Sequence, residues 1–360
     1  MPNGMTQKGQ HSHFNVKFLK GYGFSVSVKD NKLVLKNNYD PFKESESEEW
    51  FINNLPYEKI VLSGKGYVST EAISLLNQNN RNLILVDTYG KLVSMINGVM
   101  ESNTATKYRM AQYDTFRNTE KKRYLSKQIV KAKLQSQIRF LKSVERTDLN
   151  LGIETLEANL RQVSTRSELG LEAGSSRAYF IEYSKLIPER HGFVSRNQSQ
   201  IRTSKDGASD VINGLLNYGY SILAGEISKY INGMGLDAYY GFYHKEQISF
   251  QPLVYDLIEP FRWLVDYSAY RLANETNKAH RIYKKDYAFT KEGLVVLDYN
   301  LIRRFLELLE RTFQKERRYA FRHGAKTKDG LKSCHEITIA KIAVQNLVEF
   351  CIGKQKEFRI

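Results

Sequence analysis

A change in hydrophobic period near residue 100 constrains this 360-residue chain more than any other feature. Upstream of it, VKFLKGYGFSVSVKDNKLVLKN alternates apolar with polar positions and is broken by Gly21, Gly23 and a Lys29-Asp30-Asn31 turn, which reads as strands of a meander. KIVLSG and NLILVD are further strands. Between them STEAISLLNQNN offers Ser69 or Thr70 as a helix cap and places Ala72, Leu75 and Leu76 at helical spacing. TYGKLVSMI supplies a turn and a last strand. The polar stretch NGVMESNTATK then marks a boundary, and from Lys107 onward the period is helical. The pattern is that of an α+β chain: a polar extension at 1–13, a β-rich domain at 14–98, a linker at 99–106 and an all-α domain at 107–360.

Charge narrows the partners. A formal net charge of +15 favours polyanions, nucleic acid first and a membrane surface second. Between Lys107 and Arg146, twelve Lys or Arg face three acids, with Tyr108, Tyr113, Phe116, Tyr124 and Phe140 interleaved. A solvated helix face explains such a run blandly, but +9 in forty residues suits a surface that contacts phosphates and releases their counterions. KERRYAFRHGAKTKDGLK, Lys315 to Lys332, reads as a helix end followed by a loop for the same backbone. No apolar run approaches the roughly 18 residues of a membrane span, so the expected location is the cytoplasm. Cys334 and Cys351 lack metal-site spacing and read as buried apolar residues. GKGYVST lacks the Gly-Lys-Ser/Thr ending of a phosphate loop.

Chemistry concentrates in GFYHKEQISFQPLVYDLIEPFR. Asp256 and Glu259, three apart, share a helix face, although Pro260 disfavours helical torsions at Glu259 and points to a helix starting near Pro260. His244 closes the glycine-punctuated GMGLDAYYGFYH that feeds this segment. An imidazole beside carboxylates suits Mn²⁺ or Mg²⁺, while a hydrogen-bonded structural pair is the plain alternative. A third ligand could come from ELGLEAGSSRAYFIEYSKLIP, where Glu172 precedes Ala173, Gly174, Ser175 and Ser176 and then an Arg177, Tyr179, Phe180 helix face. Glu168, one turn earlier, and Glu226 in LAGEISKYI are the other options, and spacing does not choose among them.

Four segments together resemble the CRISPR-associated adaptation integrases, the Cas-one family: LEAGSSRAYF, NGLLNYGY from Asn213 to Tyr220, GLDAYYGFYH from Gly235 to His244, and DLIEPFR from Asp256 to Arg262. IVLSGKGYVSTEAISLLNQNNRNLILVDTYGKL is similar to the strand, helix, strand passage of that family's β domain, so the resemblance spans roughly residues 14 to 353. It implies a β domain used for dimerisation and a helical catalytic domain with Mg²⁺ or Mn²⁺ held by Glu172, His244 and Glu259. Asp256 is implied as a nearby acid that holds a ligand or a metal-bound water. Members often carry Asp where this chain has Glu259, and RNQSQIRTSKDGASDVINGLL lacks the proline common in the family's approach to its Asn-Leu-Leu element.

The implied reaction is strand transfer on double-stranded DNA: a 3′-hydroxyl attacks a phosphodiester and short fragments enter a CRISPR array, with a small Cas-two protein as partner of the homodimer. His244 as general acid is a variant role. Two rivals stand beside this reading. A casposase, a transposon integrase of the same superfamily, usually adds a helix-turn-helix domain after the helical core, whereas this chain ends soon after CIGK. A basic nucleic-acid-binding protein without catalysis would use the same three residues as a structural cluster.

Overall fold

The computed structural model describes residues 16–38, 45–96, 105–165, 168–196, 207–244, 251–320 and 331–360. The extension at 1–13, most of the linker at 99–106, and the stretch before the Asn-Leu-Leu element at 197–206 therefore lie outside the described residues.

Six strands form one mixed sheet. β1 (Val16–Lys29) and β2 (Lys32–Asn37) pair antiparallel across Asp30 and Asn31, whose φ values of 49° and 59° give the left-handed two-residue turn that matches strand twist. β3 (Glu46–Trp50) extends this meander. The remaining strands depart from it: β4 (Lys59–Val68) lies parallel to the other side of β1, α1 (Thr70–Gln78) crosses over, and β5 (Asn82–Val86) returns parallel to β4. β6 (Leu92–Ile96) closes the order β3-β2-β1-β4-β5-β6. Of the two candidate caps for α1, Ser69 acts, its hydroxyl accepting from the Ala72 amide at 3.1 Å.

Both faces of this sheet are covered, which explains the unbroken apolar runs of β4 and β5. Leu19, Ile60 and Leu62 point toward α1 with Ala72 and Leu76, whereas their neighbours Phe18 and Val61 join Ile84 in the core shared with the helices. GKGYVST runs through β4 rather than forming a loop. Gly64 sits there at φ 116° because a Cβ would lie 2.4 Å from the Gly21 carbonyl oxygen.

The second part is helical: α2 (Ala105–Arg117), α3 (Thr119–Ser143), α4 (Asn150–Arg161), α5 (Glu168–Leu186), α6 (Val211–Gly233), α7 (Pro252–Ile258) and α8 (Arg262–Ala273). A hairpin of β7 (Tyr287–Phe289) and β8 (Val295–Leu297) follows, then α9 (Tyr299–Phe313), a second hairpin of β9 (Glu316–Ala320) and β10 (Leu331–His335), and α10 (Glu336–Cys351). The expected all-α domain thus carries two small hairpins. In the Lys315–Lys332 run, the helix has already ended at Phe313 and the expected helix end is strand β9 instead, with Arg317 facing Cys334 and Tyr319 facing Lys332 across the pair, while the expected loop at 321–330 lies outside the described residues.

α6 is the axis of the helical body, buried along almost its whole length. Gly219 lets α8 and α9 close on it, since a Cβ there would come within 2.3 Å of Val265. The same helix meets the sheet: the Tyr218 hydroxyl donates to the Thr88 carbonyl at 3.1 Å, and Ser221 donates to that of Gly90 at 2.7 Å. At the same junction Lys59 is 2% exposed and pairs with Glu310 and, at 3.5 Å, with Glu226. Glu226 also accepts from the Asn82 amide at 3.3 Å. These two carboxylates hold the Lys59 ammonium above its ordinary pKa although burial, the largest single influence, pushes it down. Glu226 is therefore engaged at the sheet junction.

Candidate functional site

The loop bearing His244 is fastened by one carboxylate. Asp256, on α7 and fully buried, accepts backbone N–H bonds from Phe242 at 2.7 Å and Tyr243 at 3.0 Å on Oδ2, and from His244 at 2.8 Å on Oδ1. His244 Nδ1 lies 2.7 Å from the same Oδ1. Both Asp256 oxygens are thus committed to the loop and to the imidazole, the bonding of a residue that orients a ligand rather than one that reaches an ion itself.

Glu259 follows at the joint between α7 and α8, in a tight 3₁₀ turn over Glu259–Phe261. The restriction expected from Pro260 is overridden, for Glu259 takes helical torsions of φ −51° and ψ −44°, and regular helix resumes at Arg262 rather than Pro260. Its carboxylate is held in a two-sided clasp. Arg262 donates to Oε1 at 2.7 Å, and the Lys133 ammonium of α3 lies 2.7 Å from Oε2. Burial alone would raise this carboxyl, which is 3% exposed, but Arg262 and Lys133, with His244 nearby, outweigh it and hold Glu259 at about 2.

Glu172, on α5, meets the same ammonium: Lys133 pairs with its Oε1, and the Ser176 hydroxyl one turn on donates to that oxygen at 2.9 Å. Gly174 borders open space, as expected of the small residues after Glu172. The expected Arg177, Tyr179, Phe180 face is split. Arg177 and Phe180 line an open cleft of about 800 Å³ with Lys133, Glu172, Arg196 and Arg262, whereas Tyr179 is buried beneath it with its hydroxyl on Asp266 at 2.8 Å. Asp266 also accepts from Tyr220, and burial lifts its carboxyl above the usual range despite both hydroxyls. The Tyr220 ring lies 4.1 Å beneath the Arg262 guanidinium, a cation–π contact that fixes the arginine.

Glu172 and Glu259 are therefore brought together on one cation, with the Asp256-braced imidazole of His244 close enough to bear on Glu259. Among the described residues, no group of three or more acidic, histidine or cysteine side chains is arranged to hold a metal ion. The donor types nonetheless fit a hard or borderline divalent ion, since a single positive charge reaches both carboxylates where they converge. Glu168 begins α5.

Three contributors escaped the sequence reading. Lys133 counts there as one charge in a basic run, yet it follows Ile129 and Val130 and precedes Leu134 on the apolar stripe of α3, where a lysine is out of place. Arg196 is held over the cleft by the side-chain oxygens of Asn213 and Asn217, each at 2.7 Å, so the two asparagines of NGLLNYGY, four apart, share a helix face and grip one guanidinium. Arg262 is signalled only by its place three residues after Glu259.

A mixed sheet fused to a helical body, with paired carboxylates and a braced histidine under an arginine rim, defines a class of two-part proteins built to handle polyanions. The family model described as CRISPR associated protein Cas1 matches residues 18–311, and the chain belongs to that family. It is 29% identical over 276 residues to CRISPR-associated protein Cas1 3 of Methanobrevibacter ruminantium, covering 71% of this chain and 77% of that one. It is 27% identical over 262 residues to CRISPR-associated endonuclease Cas1 1 of Archaeoglobus fulgidus, covering 67% and 73%. Among solved structures, a casposase bound to integration product superposes with a TM-score of 0.82 at 26% identity over 96% of this chain and 92% of that one. A Cas1 protein from Thermotoga maritima shares the fold at a TM-score of 0.71 and 18% identity, covering 96% and 99%. No described helix is long and apolar enough to cross a membrane.

Proposed function

We propose that this chain is a divalent-metal-dependent DNA integrase that inserts short fragments into a CRISPR array, with Glu172, His244 and Glu259 as the ligands of one Mg²⁺ or Mn²⁺ and Asp256 as the brace of His244. The observation that carries this reading is the convergence of Glu172 and Glu259 on a single cation at the base of an arginine-lined cleft. When bound, the ion neutralises charge on the phosphate under attack and lowers the pKa of the attacking hydroxyl.

The protein's own groups do the rest. Arg177, Arg196 and Arg262 line the cleft and take the non-bridging phosphate oxygens; the two asparagines hold Arg196 in place, and Arg262 is fixed between the Tyr220 ring and the Glu259 carboxylate. The DNA 3′-hydroxyl attacks in line; its oxygen forms the new bond to phosphorus, its proton passes to solvent, and the bond to the displaced 3′-oxygen breaks. That oxygen leaves as a new 3′-hydroxyl after taking a proton, so one phosphodiester replaces another and no covalent intermediate with the protein arises. Asp256 sets the ring orientation of His244 throughout.

Double-stranded DNA, a second copy of this chain and a small Cas2-type protein are the proposed partners. Solved complexes called Cas6-RT-Cas1–Cas2 share this fold at a TM-score of 0.72. The casposase likeness favours a second reading, integration of transposon ends. Both make the same test primary: joining of a labelled 3′-hydroxyl duplex to a plasmid in Mn²⁺, lost in Glu172→Ala and His244→Ala. Joined product that persists in both variants sinks the assignment, and binding without joining by the unsubstituted protein supports the non-catalytic rival. Supplying CRISPR-repeat targets against terminal inverted repeats as donor ends separates the two integrase readings.

A further inference from the structure

Of the twelve Lys and Arg between residues 107 and 146, ten are exposed, Lys127 is half-buried, and Lys133 alone is buried. Its flanks on α3, Val130, Leu134 and Gln137, are buried as well, so the aliphatic stem runs through packing and the ammonium emerges between Glu172 and Glu259. A lysine in that place is not a phosphate-binding surface charge. Arg262 also pairs with Glu259, but Lys133 is the cation that touches both carboxylates and so lets the 3% exposed Glu259 and its partner approach each other. A divalent ion on the same oxygens would compete with the ammonium for them.

Resting on the metal-site reading above, we propose that Lys133 is an internal counterion that holds Glu172 and Glu259 together in the metal-free protein and is displaced into the cleft when the ion takes both carboxylates. Two features of the site permit the exchange. Each carboxylate keeps another donor when the ammonium leaves, Ser176 for Glu172 and Arg262 for Glu259. The packed stem ends at the border of an open cleft, so the ammonium has space to turn toward the place where a DNA phosphate would lie. Lys133 is thus a positioning residue: it keeps the ligand set gathered without the ion and adds a phosphate contact once the ion is bound.

Mn²⁺ titration of the full chain, read by electron paramagnetic resonance, tests this in the unsubstituted protein, Lys133→Met and Glu172→Gln. With the competing charge removed, Lys133→Met binds Mn²⁺ about tenfold more tightly, a coupling of ordinary size between two ligands of one site. Its melting temperature falls in chelator and rises further on adding Mn²⁺ than that of the unsubstituted protein. In the unsubstituted protein, acylation of Lys133, followed by peptide mass spectrometry, increases on saturation with Mg²⁺; this readout decides the matter if Lys133→Met does not fold. Unchanged or weaker Mn²⁺ affinity in Lys133→Met, or acylation indifferent to Mg²⁺ in a protein that binds it, overturns the proposal alone. An unsubstituted protein that takes up no Mn²⁺ overturns the metal-site reading itself and the proposal with it.

Discussion

Asp256→Asn is the substitution that most directly separates loop fastening from catalysis. The change preserves shape and removes one negative charge, yet the four donors around the carboxylate are divided two and two: His244 N and Nδ1 on Oδ1, Phe242 N and Tyr243 N on Oδ2. An amide has one accepting end. With its NH₂ toward Phe242 and Tyr243 it leaves two N–H donors unpaired, and turned the other way it strands the His244 N–H and forces Nδ1 to accept in the other tautomer, in a site with 0% exposure at Asp256. At about 1–3 kcal/mol for each stranded donor, the cost is roughly 1–6 kcal/mol, taken locally by release of the loop rather than by global unfolding. Hydrogen exchange of the Phe242, Tyr243 and His244 amides measures the release directly, and strand transfer should fall about 10- to 100-fold, the usual effect of removing a histidine's orienting partner. His244→Ala is the control: it removes the ring but leaves the Oδ2 bonds, so joining is lost while the Phe242 and Tyr243 amides stay protected. If Asp256→Asn keeps both amide protection and joining, the fastening role assigned to this carboxylate is wrong.

Lys59→Met should destabilise the chain by about 3–5 kcal/mol in denaturant titration, because Glu226 and Glu310 are left buried without their cation; adding Glu310→Gln should restore part of the loss. Arg196→Ala should weaken DNA binding and reduce the slope of log affinity against log salt by about 1, read by fluorescence anisotropy at several ionic strengths; an unaltered slope removes Arg196 from the phosphate contacts. Lys20, where burial outweighs Asp298 and lowers the ammonium from 10.5 to about 8, gives a pH test. Between those values the unfolded chain binds more protons, so stability rises with pH by up to about 3 kcal/mol in the unsubstituted protein and by less in Lys20→Met, as urea midpoints across the window will show.

Period two made the strands of the sheet readable, and the positive-φ pair Asp30 and Asn31 was readable as a turn because those residue types tolerate that region. The parallel β1–β4 pairing was not, since it joins residues over forty positions apart and leaves no local mark, although the strand, helix, strand run from β4 to β5 carried the usual sign of a crossover. The motif residues Glu172, His244, Asp256 and Glu259 stood out by chemical type. What could not be seen was how they were partnered. Proline rules misjudged Glu259 because they weigh a local torsional preference and take no account of tertiary contacts such as those its carboxylate makes with Lys133 and Arg262. Counting charge hid Lys133; following its position on the α3 stripe would have exposed it.

At 23 residues, α6 is a rod about 35 Å long. Its first turns grip Arg196 over the cleft and its later ones reach the Lys59 knot at the sheet, so cleft and sheet are two jaws of one caliper. A substitution that bends this rod between Asn217 and Glu226 would therefore shift the cleft against the sheet without altering any residue that lines it.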